Sequence, residues 1–163
     1  MDITDISSLS TRELLGSYAQ ILTELLRRGV VRSRNAPAGD LAEFLVASAY
    51  NGELAAPSEK GWDVNAAGRK LQVKCRVIDP TVKSSQQFSP FRSWGFDACV
   101  FVLLDSMTYE IIRALEIDIS NVKSSSQPSP WVAGSRITVA QVLTHQSAKD
   151  VTDLVRAAYD SLH

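Results

Sequence analysis

The stretch GWDVNAAGRKLQVKCRV, residues 61–77, decides the fold, because it has the pattern of two strands joined by a tight turn. After the turn at Ala67-Gly68, apolar and polar residues alternate, which is typical of a strand with one buried face. The apolar set is Leu71, Val73, Cys75 and Val77, and the polar set is Lys70, Gln72, Lys74 and Arg76. Gln72 and Lys74 are therefore predicted to share one face of the second strand.

The turn also predicts which residues face each other across the hairpin. A two-residue turn at Ala67-Gly68 puts Ala66 opposite Arg69, and counting outward puts Asp63 opposite Gln72. Facing residues have Cβ atoms about 4.5–5.5 Å apart. We therefore expect the side chains of Asp63 and Gln72 to be close enough to share one metal ion.

Lys74 falls opposite Gly61 in the same register. A glycine there predicts open space beside the ammonium group, which would admit a phosphate of a substrate. The other interpretation is a strand with one solvated face, on which Lys70, Gln72 and Lys74 only keep the sheet soluble. The hairpin by itself favours that second interpretation.

A second helix is predicted from Leu41 to about Tyr50, and Glu43 is its only charged residue. The helix is apolar on nearly every side, which is typical of a helix buried against a sheet. A carboxylate in such a place is costly unless a cation or a metal partners it. The alternative is a capping box, in which Asp40 is the N-cap and Glu43 returns the hydrogen bond. In this hypothesis Glu43 joins the hairpin residues only if its helix packs against the strand face that carries Gln72.

The N-terminal helix is predicted over residues 10–28, where apolar side chains recur at helical spacing and Gly29 ends the pattern. Ser10 and Glu13 make a capping box at its start. The apolar stripe comprises Leu14, Leu15, Tyr18, Ile21, Leu22, Leu25 and Leu26. The simpler explanation of this stripe is that it packs on its own domain. The alternative is an interface between two copies of the chain, a homodimer.

The rest of the chain alternates strands, helices and two long loops. Further strands are predicted over residues 100–104 and 109–117, and C-terminal helices over 138–145 and 149–162. Residues 79–94 and 121–131 are rich in Ser, Gln and Pro, and loops of this length are often functional. Phe88, Phe91 and Trp94 are candidates for stacking on bases, although aromatics in a loop more often anchor it to the core.

Composition bounds the class of protein. With 163 residues, 45% hydrophobic and 21% charged, the chain fits a single domain over residues 1–163. A net charge of −1 excludes a protein that grips nucleic acid by bulk positive charge, so any such contact must be local. The N-terminus lacks the pattern of a secretory signal, and the longest apolar run, residues 98–104, is far below the ~20 residues of a membrane span. Cys75 and Cys99 lack partners at zinc spacing, so we expect buried free thiols and a cytoplasmic protein.

The order of these features resembles the PD-(D/E)xK nuclease superfamily, which includes restriction endonucleases and archaeal Holliday junction resolvases. The resemblance covers residues 39–104, roughly half of the chain. Glu43 resembles the helix acid, Asp63 the strand aspartate, and Gln72-Val73-Lys74 the element of an acid, one residue and a lysine. Trp62 stands at the nominal proline, and Gln72 replaces the acid, which makes this a QxK variant.

The resemblance implies an α/β restriction endonuclease-like core with a central mixed sheet of four to five strands flanked by helices. It implies a DNA endonuclease dependent on Mg²⁺ or Mn²⁺, held by Asp63, the Gln72 amide oxygen and the Val73 backbone carbonyl, which are hard oxygen ligands. Glu43 reaches the ion through water or serves a second ion, and Lys74 orients the attacking water. Because Gln72 leaves two carboxylates, the alternative is an inactive nuclease-fold protein that binds nucleic acid or a protein partner.

Local positive charge for DNA contacts is available in two groups. The first is Arg69, Arg76, Lys83 and Arg92, and the second is Arg27, Arg28, Arg32 and Arg34. Either group would neutralise phosphates, and either is also an ordinary solvated surface.

Overall fold

A computed structural model describes residues 5–81 and 86–162 and shows an α/β domain built on a six-stranded mixed sheet. The strands are β1 (Glu53–Leu54), β2 (Val64–Ala66), β3 (Arg69–Ile78), β4 (Ala98–Asp105), β5 (Ile111–Asp118), β6 (Gln127–Pro128), β7 (Ser135–Arg136) and β8 (Lys149–Asp150). The order in the sheet is β1-β2-β3-β4-β5-β8, with β3 and β4 parallel and the other neighbours antiparallel. Strands β6 and β7 form a separate two-stranded hairpin.

Helices lie on both faces of this sheet. They are α1 (Thr11–Arg27), α2 (Ala38–Ala49), α3 (Ile119–Ser125), α4 (Val139–Leu143) and α5 (Thr152–Asp160). Within the described ranges, none of them is long and apolar enough to cross a membrane.

The hairpin of β2 and β3 has the predicted register. Ala66 pairs with Arg69 across a turn in which Ala67 has φ 53° and Gly68 has φ 86°. Two successive positive φ values are typical of the type I′ turn, whose twist matches that of the flanking strands. The side-chain oxygen of Asn65 accepts a hydrogen bond from the Gly68 N–H at 2.8 Å, which stabilises the turn further. The prediction of a hairpin in this register is confirmed.

The hairpin is shorter than predicted at its open end. Strand pairing stops at Val64 and Leu71, because β2 begins three residues after Gly61 rather than at it. The expected juxtaposition of Gly61 and Lys74 is therefore wrong, and Gly61 lies beside the Glu59 side chain instead. One edge of β3 is left open beyond Leu71, and this opening positions the candidate site.

Two apolar cores cover the two faces of the sheet. Leu71 and Val73 belong to the core that α2 and α5 cover, whereas Phe101 belongs to the opposite core, which residues 86–96, α3 and α4 cover. Gln72 and Lys74 alternate with Leu71 and Val73 and therefore lie on the Phe101 side. The condition set for Glu43, that α2 packs over the face of Gln72, is not met, because α2 buries the apolar residues of β3 on the other face.

Short elements account for the other differences from the predicted fold. The sheet has six strands rather than four or five, because β1 and β8 are two-residue edge strands with too few residues to show an alternation. Lys149–Asp150 pairs with β5 instead of starting the last helix, and Ile119–Ser125 is helical where a loop was predicted. The second helix starts at Ala38, three residues earlier than predicted.

The N-terminal helix is capped as predicted, with Ser10 and Glu13 exchanging hydrogen bonds in a capping box. Its apolar stripe packs on the domain only along the C-terminal half, where Leu22 is buried. Leu15 and Ile21 are 65% and 57% exposed. Packing on its own domain thus explains part of the stripe, and the homodimer stays a prediction.

Candidate active site

Glu43 and Asp63 line one pocket at the open edge of β3. The pocket has a volume of about 340 Å³, and Arg32 and Trp62 also contribute to its wall. Glu43 comes from α2, on one face of the sheet, and Asp63 comes from the segment just before β2. Because β2 begins only at Val64, these two side chains line the same pocket although α2 does not cover the face that carries Gln72.

Asp63 is tied to β3 through one carboxylate oxygen. Its Oδ2 accepts a hydrogen bond from Gln72 Nε2 and another from the Val73 N–H, both at 2.7 Å. Oδ1 accepts no hydrogen bond from the residues that the structure describes. Burial raises the pKa of Asp63, and the Val73 N–H and the charge of Lys74 oppose that rise. The predicted proximity of Asp63 and Gln72 is therefore present, with one carboxylate oxygen left for another ligand.

The Gln72 amide presents its nitrogen to Asp63, whereas the sequence-based prediction used its oxygen as a metal ligand. The Val73 carbonyl leaves β3 on the same edge as the Val73 N–H, because both groups of one residue point to the same side of a strand. The Gln72 amide, the Val73 N–H and the Val73 carbonyl thus lie at the open edge of β3 with the Asp63 carboxylate.

Glu43 does not form the capping box that was the alternative to a site role. The N-cap of α2 is Pro37, which has no side-chain hydrogen bond. Asp40 instead accepts hydrogen bonds from the N–H groups of Arg32 and Ser33 and holds the loop before the helix. The capping interpretation is wrong because the carboxylate of Asp40 is committed to that loop.

The environment of Glu43 disfavours its negative charge. Burial raises its pKa to about 7, and the charges of Asp63 and Asp40 act in the same direction. Arg32 opposes the rise, with Nη2 3.5 Å from Glu43 Oε2. Two carboxylates that repel each other in a half-buried pocket are the kind of site that a cation stabilises.

Lys74 is directed toward residues 89–91, which lie in the connection between β3 and β4. Its Nζ donates hydrogen bonds to Ser89 Oγ at 3.0 Å and to the Pro90 carbonyl at 3.2 Å, and it lies 4.8 Å from the centroid of the Phe91 ring. Burial lowers the pKa of this ammonium group, and the charge of Asp63 partly opposes the change. Lys74 is thus a held, partly desolvated cation on the same strand face as Gln72.

Arg69, predicted to contact nucleic acid, is engaged within the fold. Its guanidinium pairs with Glu116 on β5, which is buried, and lies 3.8 Å from Asp118. The Tyr50 hydroxyl donates to the same carboxylate. This cluster joins α2, β3 and β5, away from the pocket that Glu43 lines.

The other predicted basic contacts are placed in different ways. Arg76 and Arg92 are exposed, and Lys83 lies outside the described residues. Arg32 lines the pocket and donates to the Ala55 carbonyl at 3.0 Å. In the sequence, Arg32 is one of four arginines before α2, and nothing in the pattern shows which of them turns inward.

The loop aromatics behave as anchors. Phe88 and Phe91 are buried, and Trp94 stacks on Phe91 with ring centroids 5.4 Å apart. The interpretation that they fix the loop to the core is confirmed. Trp131 is 90% exposed, and the sequence does not predict this exposure, because only the Ser, Gln and Pro content distinguishes its segment.

No protein-family model matches this chain, and curated proteins include no significant sequence match to it. Among the described residues, no cluster of three or more His, Cys, Asp or Glu side chains is arranged to hold a metal ion. The candidate site therefore rests on two carboxylates, one amide, one backbone carbonyl and one lysine.

Proposed function

We propose that this protein is a nuclease that hydrolyses phosphodiester bonds in DNA with the help of Mg²⁺ or Mn²⁺. The observation that carries the proposal is the meeting of Glu43 and Asp63, from separate elements, in one pocket at the edge of the strand that presents Gln72 and Lys74. Two acids, an amide and a lysine at one strand edge form a set that suits phosphoryl chemistry.

The donor set fits a hard divalent cation. Asp63 Oδ1 and Glu43 Oε1 accept no hydrogen bond from the described residues, and both side chains line the same pocket. The Val73 carbonyl and, after a 180° rotation of its amide, Gln72 Oε1 add two neutral oxygens. When bound, such an ion polarises the phosphate and lowers the pKa of a water molecule. Cation binding also offsets the burial and the repulsion from Asp63, which raise the pKa of Glu43.

Lys74 supplies a fixed positive charge for the reaction. The hydrogen bonds to Ser89 and Pro90 hold the ammonium group in place, so little reorganisation is needed when charge develops at the phosphate. Its lowered pKa also makes proton exchange with the attacking water easier than for an ordinary lysine. We assign Lys74 the roles of orienting this water and offsetting charge at the phosphate.

Contacts with the DNA backbone are proposed for three arginines, Arg32, Arg76 and Arg92. Arg32 is within the pocket wall, and Arg76 and Arg92 are exposed on and after β3. Each would neutralise a phosphate locally, which is consistent with a net charge of −1 for the whole chain.

A second candidate function is nucleic acid binding without cleavage. The observation in its favour is that Asp63 Oδ2 is satisfied by the Gln72 amide and the Val73 N–H, so the site is held together by protein groups alone. Two carboxylates also bind Mg²⁺ more weakly than three.

Cleavage of supercoiled plasmid and of single-stranded oligonucleotides distinguishes the two functions. We expect wild-type cleavage with Mg²⁺ or Mn²⁺ but not with EDTA, and a loss of about 100-fold or more in Asp63→Asn. Asp153→Asn, on the exposed face of α5, is the matched control and should cut like wild type. Cutting by Asp63→Asn at the wild-type rate would refute the proposed site. DNA binding without cleavage by the wild type would establish the second function.

A further inference from the structure

We propose that the β6–β7 hairpin binds an unpaired nucleobase of the substrate, with Trp131 as the stacking surface. This inference rests on the proposed function and deepens it, because it makes a substrate with a single-stranded segment the preferred one. The observations that carry it are the exposure of Trp131, the polar pocket beside it and the attachment of the hairpin to the segment that holds Lys74.

Trp131 lies in the loop that joins β6 to β7 and is 90% exposed. The other aromatics of this side of the sheet are in the core or packed on it, as Phe88, Phe91 and Trp94 show. A tryptophan left in water loses the gain from burial that its large ring normally contributes. An exposed ring of this size is therefore suited to contact with a flat apolar surface, such as the face of a base.

The pocket next to Trp131 is polar and suited to the edge of a base. It has a volume of about 300 Å³, and its wall includes the amides of Gln87 and Gln127 together with Arg136. The amide of Gln141 also lies in the wall, but it is hydrogen-bonded to Thr138 and Ser125. Amide side chains pair with base edges, and guanidinium groups bind carbonyl oxygens or phosphates. Arg136 donates from Nη1 to Gln87 Oε1 at 3.1 Å. Its Nε is buried and donates a hydrogen bond to no group of the described residues. The wall of this pocket therefore presents amide and guanidinium groups to the edge of a base.

The β6–β7 hairpin is attached to the segment that Lys74 contacts. Ser135 of β7 exchanges two backbone hydrogen bonds with Phe91, at 2.8 and 2.9 Å. A Cβ at Gly134 would lie 2.5 Å from the Phe91 carbonyl oxygen, so glycine permits this close approach. The residues just before Phe91, Ser89 and Pro90, are those that Lys74 contacts. A single strand with its phosphate near Lys74 can thus continue toward the hairpin.

Stacking on Trp131 discriminates between single and double strands. A base inside a duplex already has both faces covered by its neighbours, whereas an unpaired base offers a free face to the indole. Stacking of this kind tolerates any base, so the hairpin would select strand state more than sequence.

Fluorescence anisotropy tests the inference with a labelled oligothymidylate and a labelled hairpin duplex, each of about 20 nucleotides. Ca²⁺ replaces Mg²⁺, since it binds oxygen ligands as well and the measurement is binding rather than cutting. We expect Trp131→Ala to weaken binding of the single strand about tenfold or more and that of the duplex less than about twofold. Trp131→Phe should recover part of the loss. Met107→Ala, which removes another exposed apolar side chain on the β4–β5 turn, should bind like wild type.

The possible results separate the inference from the function on which it rests. Wild-type binding of either probe with no effect of Trp131→Ala overturns the stacking site and leaves the nuclease proposal standing. An equal loss for single strand and duplex overturns the selection for strand state. Failure of the wild type to bind either probe overturns both proposals. Binding of an oligoproline peptide that Trp131→Ala abolishes, with oligonucleotide binding unchanged, reassigns the hairpin to a protein partner.

Discussion

Asp63 and Gln72 are joined by a hydrogen bond of 2.7 Å, in which the amide nitrogen donates to Oδ2 of the carboxylate. A glutamate in place of Gln72 would set two negative charges against each other at this distance unless a cation lay between them. The glutamine therefore stabilises the site in the absence of a cation and weakens the site's attraction for one. Stability and cation affinity are opposed at this single position.

Gln72→Glu should reverse that balance. Without a divalent ion, we expect the free energy of unfolding at neutral pH to fall by about 1–3 kcal/mol, because a hydrogen bond is replaced by a repulsion between carboxylates. With Mn²⁺, the third carboxylate should tighten ion binding about tenfold or more. Thermal unfolding with and without Mn²⁺ measures both effects, and Gln20→Glu, on the exposed side of α1, is the control. An equal response of the two variants to Mn²⁺ would show that residue 72 does not face the ion.

Glu43→Gln should change how stability depends on pH. Burial raises the pKa of Glu43 in the folded state to about 7, from 4.5 in the unfolded chain. The folded state therefore gains from the protonated form below about pH 4.5, and this gain is lost as pH rises toward 7. Above about pH 7 the ionised group costs up to about 3 kcal/mol, which the neutral amide avoids.

Urea unfolding at several pH values provides the measurement for Glu43. The variant should be more stable than wild type near pH 8, and the difference should shrink toward pH 4. Glu53→Gln, on the exposed edge strand β1, is the control for replacing one glutamate. A difference that is the same at all pH values would contradict the assigned burial of the Glu43 charge.

The hairpin was predictable from sequence because local rules set it. A two-residue turn fixes register, and the alternation of β3 fixes which side chains share a face. The contact of Asp63 with Gln72 follows from those rules alone. The length of β2 does not, since the point at which a chain leaves a sheet depends on what packs beyond it.

The placement of Glu43 could not be read from its own helix. The apolar character of α2 shows that it is buried, but not which face of β3 it covers. That choice follows from Leu71 and Val73, which are apolar and lie opposite to Gln72. The two-residue strands, the inward turn of Arg32 and the exposure of Trp131 depend on tertiary contacts, which leave no periodic pattern in the sequence.

Arg69→Ala should act on stability rather than on DNA. Burial raises the pKa of Glu116, but hydrogen bonds from Arg69 and Tyr50 more than offset it, so that the net shift is downward. Removing Arg69 leaves a buried carboxylate with one partner fewer, which we expect to cost about 2 kcal/mol, since Arg69 is itself 40% exposed. The loss should be full above about pH 4.5 and fade as pH falls through the lowered pKa of Glu116.

Urea unfolding and oligonucleotide binding together test this assignment of Arg69. Arg12→Ala, on the exposed N-terminal turn of α1, is the control for removing one arginine. If Arg69→Ala weakens the affinity for DNA and leaves stability unchanged, Arg69 contacts nucleic acid and its assignment to the fold is wrong.

Lys74→Ala is the most direct test of chemistry at the site. The ammonium group is held by Ser89 and Pro90 rather than by the core, so we expect the fold and DNA binding to survive its removal. Cutting should fall about 100-fold or more, because the charge that offsets the phosphate is lost.

Lys70→Ala is the matched control, since Lys70 lies on the same strand face but is exposed and contacts Trp62. Lys74→Arg separates the two proposed roles: arginine keeps the charge but does not release a proton, so recovery of cutting assigns Lys74 to charge, and its absence is consistent with proton transfer. Equal cutting by wild type and Lys74→Ala would remove Lys74 from the site.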